Sequence, residues 1–500
     1  MRVIIFNHFT MNVKRLFVIA SVALLCATIM PDAAAQGYLT DATTSTPVLT
    51  RDPARQASTE IDAVVTNPAG VAFMPDGFHV SLGGIYSYRD ISDCDAAIPA
   101  IKYWTKETRL LPTVQAAWKK NRWSVSASFA SEGGFGKRDA NGSLLLGQMF
   151  GVGEMGSALD ELNESMHNLW DTWSTVGEIL GGAPELNIQD EDEISFISRK
   201  ANTHLYNWAI RLGATYKFDD HFSAYVGVKA NYVTSKGKGG NMQAVVTRPS
   251  TGERWGYADY FAKEIPTIQN ADMNEELKGI ALESLNENIT TGNNIDELTN
   301  DYIINIFDVH GWGFAPIIGL DYKVGDFNFG AKYEFASHIN AKGVREHFNV
   351  PASMSVGASW QIIPRLKVAA GSNVVFATYN NVWGTSKPSR AYDLSVSGTF
   401  TFNSKWLVSA GYTYSHEQSV FNDILPVPFD AYSNHRISLG GAYSPIENMQ
   451  INLGVSIYPH WVERRNTVQT TVNNTYTYTV NGISQIKPLV QVALGINYSF

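Results

Sequence analysis

From residue 77 onward, apolar and polar residues alternate with a period of two, in segments of about ten to fourteen residues, which commits the chain to extended strands with one greasy face each. Met449, Ile451, Leu453, Val455 and Ile457 alternate with Gln450, Asn452, Gly454 and Ser456. In the last segment Val490, Val492, Leu494, Ile496, Tyr498 and Phe500 alternate with Gln491, Ala493, Gly495, Asn497 and Ser499, and earlier Phe327, Phe329, Ala331, Tyr333 and Phe335 oppose Asn328, Gly330, Lys332 and Glu334. This is the length that a tilted strand needs to cross a bilayer. A soluble sandwich has the same period, so the connections must decide between the two.

Fourteen such segments lie near 77–88, 109–119, 122–132, 203–218, 222–234, 311–323, 326–337, 351–362, 366–377, 391–402, 405–415, 433–443, 448–458 and 488–500. Their connections alternate. Short turns such as Lys120-Asn121, Asp219-Asp220-His221, Val324-Gly325 and Asn403-Ser404 follow one end, and long loops at 89–108, 133–202, 235–310, 338–350, 378–390, 416–432 and 459–487 follow the other. Such asymmetry, with an even strand number, predicts an all-β fold: a fourteen-stranded antiparallel transmembrane β-barrel, short turns facing the periplasm and long loops the exterior. Trp118, Trp123, Phe218, Phe222, Tyr322, Phe327, Phe402 and Trp406 recur beside the short turns, as an aromatic girdle at headgroup level would. A closed barrel is the β architecture that pairs every backbone amide inside a bilayer.

Composition narrows the function classes. The chain is 44% apolar and 17% charged over 500 residues, too apolar for disorder, and a net charge of −9 gives no footprint for nucleic acid. Lys14 and Arg15, the apolar stretch from Leu16 to Met30, and Ala33-Ala34-Ala35 before Gln36 read as a secretory signal over residues 1–35, with Met11 the more economical start. Removal of that segment leaves Cys94 as the one cysteine, with no intramolecular disulfide. No G-x-S-x-G or H-E-x-x-H occurs, and His416-Glu417 is followed by Val420 where a second metal-binding histidine would stand. Neither an enzyme nor a cofactor or metal is expected.

Fourteen strands enclose a lumen that side chains alone do not fill. Residues 36–76 precede the first strand, lack its alternation and carry turn formers such as Thr66-Asn67-Pro68-Ala69-Gly70, so they can fold inside the bore as a plug. Together with Gly37-Tyr38-Leu39, the stretch from Ser58 to Gly70, Gly311 to Tyr322, Val350 to Gly357 and Ile424 to Asp430, this segment resembles the FadL-type outer-membrane transporters of long-chain fatty acids and other hydrophobic compounds. The resemblance implies passive, hatch-gated uptake. Outer loops catch a hydrophobic ligand, a pocket in the barrel holds it, and a kinked strand opens a sideways exit. Gly37, Tyr38 and Leu39 would then lie below the ligand, and Asn67, Pro68 and Ala69 would join hatch to wall. Phe500 resembles the aromatic ending read by the barrel assembly machinery. Fatty acids, outer-membrane lipid and that machinery are therefore the expected partners, and the Gram-negative outer membrane the expected location. Gly133, Gly134 and Gly136 fit either a kink or the start of a loop.

Two features of the loops and lumen remain open from sequence. Met155, Leu159, Leu162, Met166, Leu169, Trp173, Val176 and Leu180 form one stripe at helical spacing. That helix is either a landing surface on which Met166, Trp170 and Trp173 touch ligand, or a support packed on the rim or the second long loop. Lumen parity places Arg211, Lys217, Lys229 and Lys332 inward; Arg211 and Lys229 are the candidate cations for a ligand carboxylate, and Lys332 beside Glu334 is a structural pair. The run Asp190-Glu191-Asp192-Glu193 reads as a solvated loop or, less economically, a divalent-cation site. The rival functions are a surface binding or adhesion protein on a barrel anchor, and a porin for hydrophilic solutes.

Overall fold

The computed structural model describes residues 45–95, 102–142, 162, 166, 186–198, 200–239, 242–298, 309–342, 350–377, 389–417, 435–459, 462–472 and 476–500. Before the first strand come two single-turn helices, α1 (Val48–Arg51) and α2 (Ala63–Thr66), and a 3-10 segment, Pro68–Phe73. The strands are β1 (Gly77–Asp95), β2 (Lys102–Lys120), β3 (Trp123–Ala140), β4 (Glu193–Ser198), β5 (Ala201–Lys217), β6 (Phe222–Gly239), β7 (Met242–Thr247), β8 (Arg254–Gly256), β9 (Val309–Val324), β10 (Phe327–Glu334) and β11 (Asn340–Lys342). They continue as β12 (Ala352–Ile363), β13 (Leu366–Ala377), β14 (Ser389–Thr401), β15 (Trp406–Glu417), β16 (His435–Tyr443), β17 (Met449–Tyr458), β18 (Val462–Val472), β19 (Tyr476–Ile486) and β20 (Leu489–Ser499). Between β8 and β9 lie α3 (Tyr257–Ala262), α4 (Ile265–Gln269) and α5 (Glu275–Leu298).

Fourteen of these strands close on themselves. Antiparallel pairing runs β1, β2, β3, β5, β6, β9, β10, β12, β13, β14, β15, β16, β17, β20 and back to β1, where Gly83 faces Gly495. The hairpin β18–β19 is outside that cycle, its second strand pairing with the outer end of β1. The alternation faces the opposite way from a soluble barrel. Leu82, Leu110, Val226, Phe314, Leu320, Val396, Leu439 and Leu494 are exposed on the outer wall, whereas Ser81, Gln115, Ser126, Thr215, Ser223 and Asn231 are buried inside. An apolar belt of this extent belongs against lipid.

The belt has two aromatic borders. Near the short turns Trp406 packs on Tyr443 at 4.4 Å, Trp123 on Tyr216 at 4.8 Å and Phe218 on Phe222 at 5.4 Å. Higher up, Trp208 precedes Phe218 by ten positions on the β5 side, Tyr232 follows Phe222 by ten on β6, and Trp312 and Tyr322 are likewise ten apart on β9. Ten residues at about 3.3 Å each, tilted about 40°, rise about 25 Å, the height of a barrel's apolar band.

The loops are shorter than the alternation suggested, because pairing continues past the membrane. β3 extends to Ala140 and β5 starts at Ala201, so the loop expected at 133–202 begins after the glycines; β6 reaches Gly239 and β9 starts at Val309. Between them stands a small outer domain: the sheet β4–β7–β8 and helices α3 to α5 around Val246, Tyr257, Tyr260, Phe261, Ile268 and Leu285. Arg254 donates to the Tyr103 hydroxyl and joins this domain to β2.

Candidate functional site: the bore and its wall

Residues 45–74 lie within the bore and are buried almost throughout, and many of their polar groups find partners on the wall. On α1, Arg51 donates from Nε and Nη2 to Asn452 Oδ1 at 3.2 and 3.0 Å, and from Nη1 to Ser409. Asp52 accepts from Ser397 and from Thr399. Arg55 folds the segment on itself by a bidentate pair with Asp62 at 2.7 Å, and also meets Glu60, which Lys367 of β13 holds at 3.0 Å.

Asn67 donates to the Leu320 carbonyl at 3.0 Å and to Asp321 Oδ2 at 2.9 Å, while Asn328 donates to the same oxygen at 3.2 Å and to the Ala57 carbonyl at 3.1 Å. The carbonyls of Pro68 and Ala69 accept from Thr215 and Ser223 at 2.9 and 2.8 Å. The Asn67-Pro68-Ala69 triplet thus meets β5, β6, β9 and β10. Gly37, Tyr38 and Leu39 lie outside the described residues.

The fit requires wall residues without side chains. A Cβ at Gly330 would stand 2.2 Å from the Gln56 carbonyl oxygen, one at Gly357 2.7 Å from Gln56 Cβ, one at Gly411 2.4 Å from Pro53 and one at Gly83 2.5 Å from Pro47. These glycines occupy inward positions on their strands. Sequence reasoning noted glycines on the polar face without assigning them a role; a clustering of inward glycines is the signal that a backbone approaches closely.

Above the segment three cations and two carboxylates meet. Arg211 and Lys229, opposite each other on β5 and β6, both reach Glu132 of β3 and Glu334 of β10, and Lys332 binds Glu334 at 2.7 Å. Lys332 also donates to the Val65 carbonyl at 2.7 Å. Arg211 Nη1 is buried without a hydrogen-bond partner. Lys217, the fourth cation that parity placed inward, lies at the turn and pairs with Asp220 at 2.8 Å. A cavity of about 100 Å³ touches Glu132, Arg211, Lys229, Lys332 and Glu334 on one side and Leu49, Pro53 and Val65 on another. Glu132, Asp321 and Asn328 were not singled out from sequence. Their signal was a polar side chain on inward parity, a weak one because serines and threonines share it.

The wall is interrupted beside Glu132. Between Ser131 and Gly136, β3 takes five steps while β5 takes three from Trp208 to Leu205, so two residues of β3 have no counterpart. Facing β2, pairing stops at Val114 with Phe129 and resumes at Thr108 with Lys137. Gly134 and Gly136 have φ of +90° and +71° there, conformations that favour glycine. The glycine run is therefore a double bulge within a strand and not the start of a loop. Leu110, at the interrupted stretch, is 70% exposed on the outer wall.

In the outer domain, Met166 is buried at 1% exposure in the core with Leu162, Tyr260 and Leu285, so of the two readings of the stripe Leu162 and Met166 take the packed support and not the landing surface. Trp170 and Trp173 lie outside the described residues. The acidic run is not simply solvated, because Asp192 is buried, pairs with Arg248 at 2.8 Å and accepts from the Tyr260 hydroxyl. Burial pushes the Tyr260 hydroxyl well up, and burial likewise raises Glu264, which accepts from the Asn187 amide at 3.3 Å.

No protein-family model matches the sequence, and no curated protein matches it. Solved structures do. A Pseudomonas aeruginosa FadL homologue aligns over 94% of this chain and all of its own, at 12% identity and a TM-score of 0.53. A deletion mutant of the TodX monoaromatic hydrocarbon channel aligns over 88% of this chain and 94% of its own, at 16% identity and a TM-score of 0.53. A second TodX deletion mutant gives 91% and 99% coverage at 16% identity and a TM-score of 0.51. With its closed fourteen-strand cycle and outward apolar belt, this chain has the fold of the FadL-type outer-membrane channels.

Proposed function

We propose that the protein is a passive outer-membrane channel through which hydrophobic compounds enter, residues 45–74 acting as the hatch and the β2–β3 break as the sideways exit. The observation that carries this reading is the position of the break: Glu132 lies within the double bulge and lines the cavity, so cavity and break are neighbours. An oily solute gains roughly 25 cal/mol per Å² of apolar area that leaves water, and a lateral route to lipid keeps that gain along the whole path. A water-filled bore gives none, and here the bore is occupied along several strands by the inner segment, which disfavours a porin.

The cargo class we favour is a hydrophobic compound with a carboxylate end, of which a long-chain fatty acid is one. Three cations against two carboxylates leave one positive charge, and Arg211 Nη1 has a hydrogen bond to give. A cavity of about 100 Å³ holds a headgroup or a single ring; a long chain, whose site needs on the order of 300 Å³ or more, must extend toward the break or displace the hatch.

Deletion of Gly134 and Phe135 makes β3 match its neighbours step for step. In liposomes holding a fluorescent fatty acid and a fluorescent uncharged hydrocarbon outside, the deletion is expected to slow transfer of both at least tenfold while the barrel still folds. Unchanged transfer would remove the lateral exit. Arg211→Gln should slow the acid and spare the hydrocarbon; equal slowing of both would remove the carboxylate preference.

A further inference from the structure

We propose that the outer wall over β2, β3, β5 and β6 binds the phosphorylated headgroup of an outer-leaflet lipid. The registers align two rows on the lipid-facing side above the upper aromatic border. Thr108, Lys137, His204 and Lys236 form one row, and Lys106, Asp139, Asn202 and Lys238 form the next. Lys106, Lys137, Lys236 and Lys238 are all exposed. Their parity is that of Leu212, Val226 and Val228, whose side chains are exposed on the apolar belt, and not that of the buried Arg138, Thr203 or Ser235.

Height decides the depth of this patch. Tyr232 and Trp312, packed at 4.8 Å, mark the upper edge of a band about 25 Å tall, and Lys236 and Lys238 follow Tyr232 by four and six positions. Four residues of tilted strand rise about 10 Å, which carries the ammonium groups from the acyl boundary into the headgroup layer. Lys106 stands 4.8 Å over the Trp104 ring, which lies farther out on β2.

Charge decides the occupant. Four lysines face one aspartate within the two rows. Asp139 takes Lys137 at 3.1 Å and accepts from Asn202, and Asp90, across from Lys106 on β1, is held by Lys487 at 2.6 Å. Lys236 and Lys238 make no ion pair among the described residues. Neighbouring strands are about 4.8 Å apart, so Lys137 and Lys236, two strands apart, bracket a space about 10 Å wide into which their flexible stems can both reach one phosphate. A headgroup without phosphate offers these cations no partner; phosphates in the headgroup layer do.

Detergent-solubilised full-length protein is mixed with bisphosphorylated lipid A, with the same lipid dephosphorylated, and with inorganic phosphate, and bound lipid is counted by native mass spectrometry. The phosphorylated lipid should bind at least tenfold tighter than the dephosphorylated one, and millimolar inorganic phosphate should not displace it. Combining Lys137→Glu, Lys236→Glu and Lys238→Glu should abolish that preference, the corresponding three Gln substitutions should weaken it, and Asp139→Asn should strengthen it. Equal binding of the two lipids, a preference that survives in both triple variants, or displacement by free phosphate would overturn the proposal. Hydrophobic-compound transfer is read in parallel, because these side chains point away from the bore: loss of lipid preference with normal transfer concerns this patch alone.

Discussion

Glu334 stands between Arg211, Lys229 and Lys332, so its removal leaves three buried cations with Glu132 as their one carboxylate. Loss of a partner from a buried ion pair costs about 3–5 kcal/mol, and Glu334→Ala is expected to destabilise the folded barrel by that amount in urea titrations in micelles. Asn67→Ala strips Asp321 of one of its two amide donors and should loosen the inner segment by about 1–3 kcal/mol, read as faster protease cleavage within residues 45–74. Parity alone placed Arg211, Lys229 and Lys332 inside the bore. Two-residue spacing also paired Lys332 with Glu334, as the structure has it; the meeting of Arg211 and Lys229 with Glu132 and Glu334 and the Asp321 contact were not legible, because a strand's period tells which way a residue points and nothing about what another strand brings to meet it.

At the level of elements, the fourteen bilayer-crossing strands were legible because lipid enforces alternation on each of them. Their outer extensions were not, because beyond the headgroups neither face must be apolar. The glycines of β3 illustrate the ambiguity: three glycines in four positions fit a loop or a bulge, and only their pairing with β5 distinguishes the two. A Cβ at Gly134 would lie 2.1 Å from the Leu205 carbonyl oxygen, and φ there is +90°. Gly134→Val should therefore destabilise the barrel by at least about 1–2 kcal/mol, seen as a lower melting temperature of its heat-modifiable gel band. The same change at Gly398, where an added Cβ meets nothing within 4 Å, should leave that temperature nearly unchanged.

On the scale of the whole molecule, membrane wall and outer domain answer to different conditions. Glu264 is buried in the outer domain with its acidity weakened, so the folded domain holds that proton more tightly than the unfolded chain does. The resulting stability is present below the ordinary carboxylate value near 4.3 and is lost as pH rises through the raised one. Hydrogen exchange of α4 should accelerate as pH rises through that window, after correction for intrinsic rates, and Glu264→Gln should flatten the change; an unaltered pH profile in the variant would assign the effect elsewhere. Gly83 and Gly495 face each other where the first and last strands of the cycle meet, and Pro47 packs against both. Closing the cylinder and seating residues 45–74 inside it therefore use the same few atoms, so bulk added at Gly83 or Gly495 presses on the joint and on the inner segment at once.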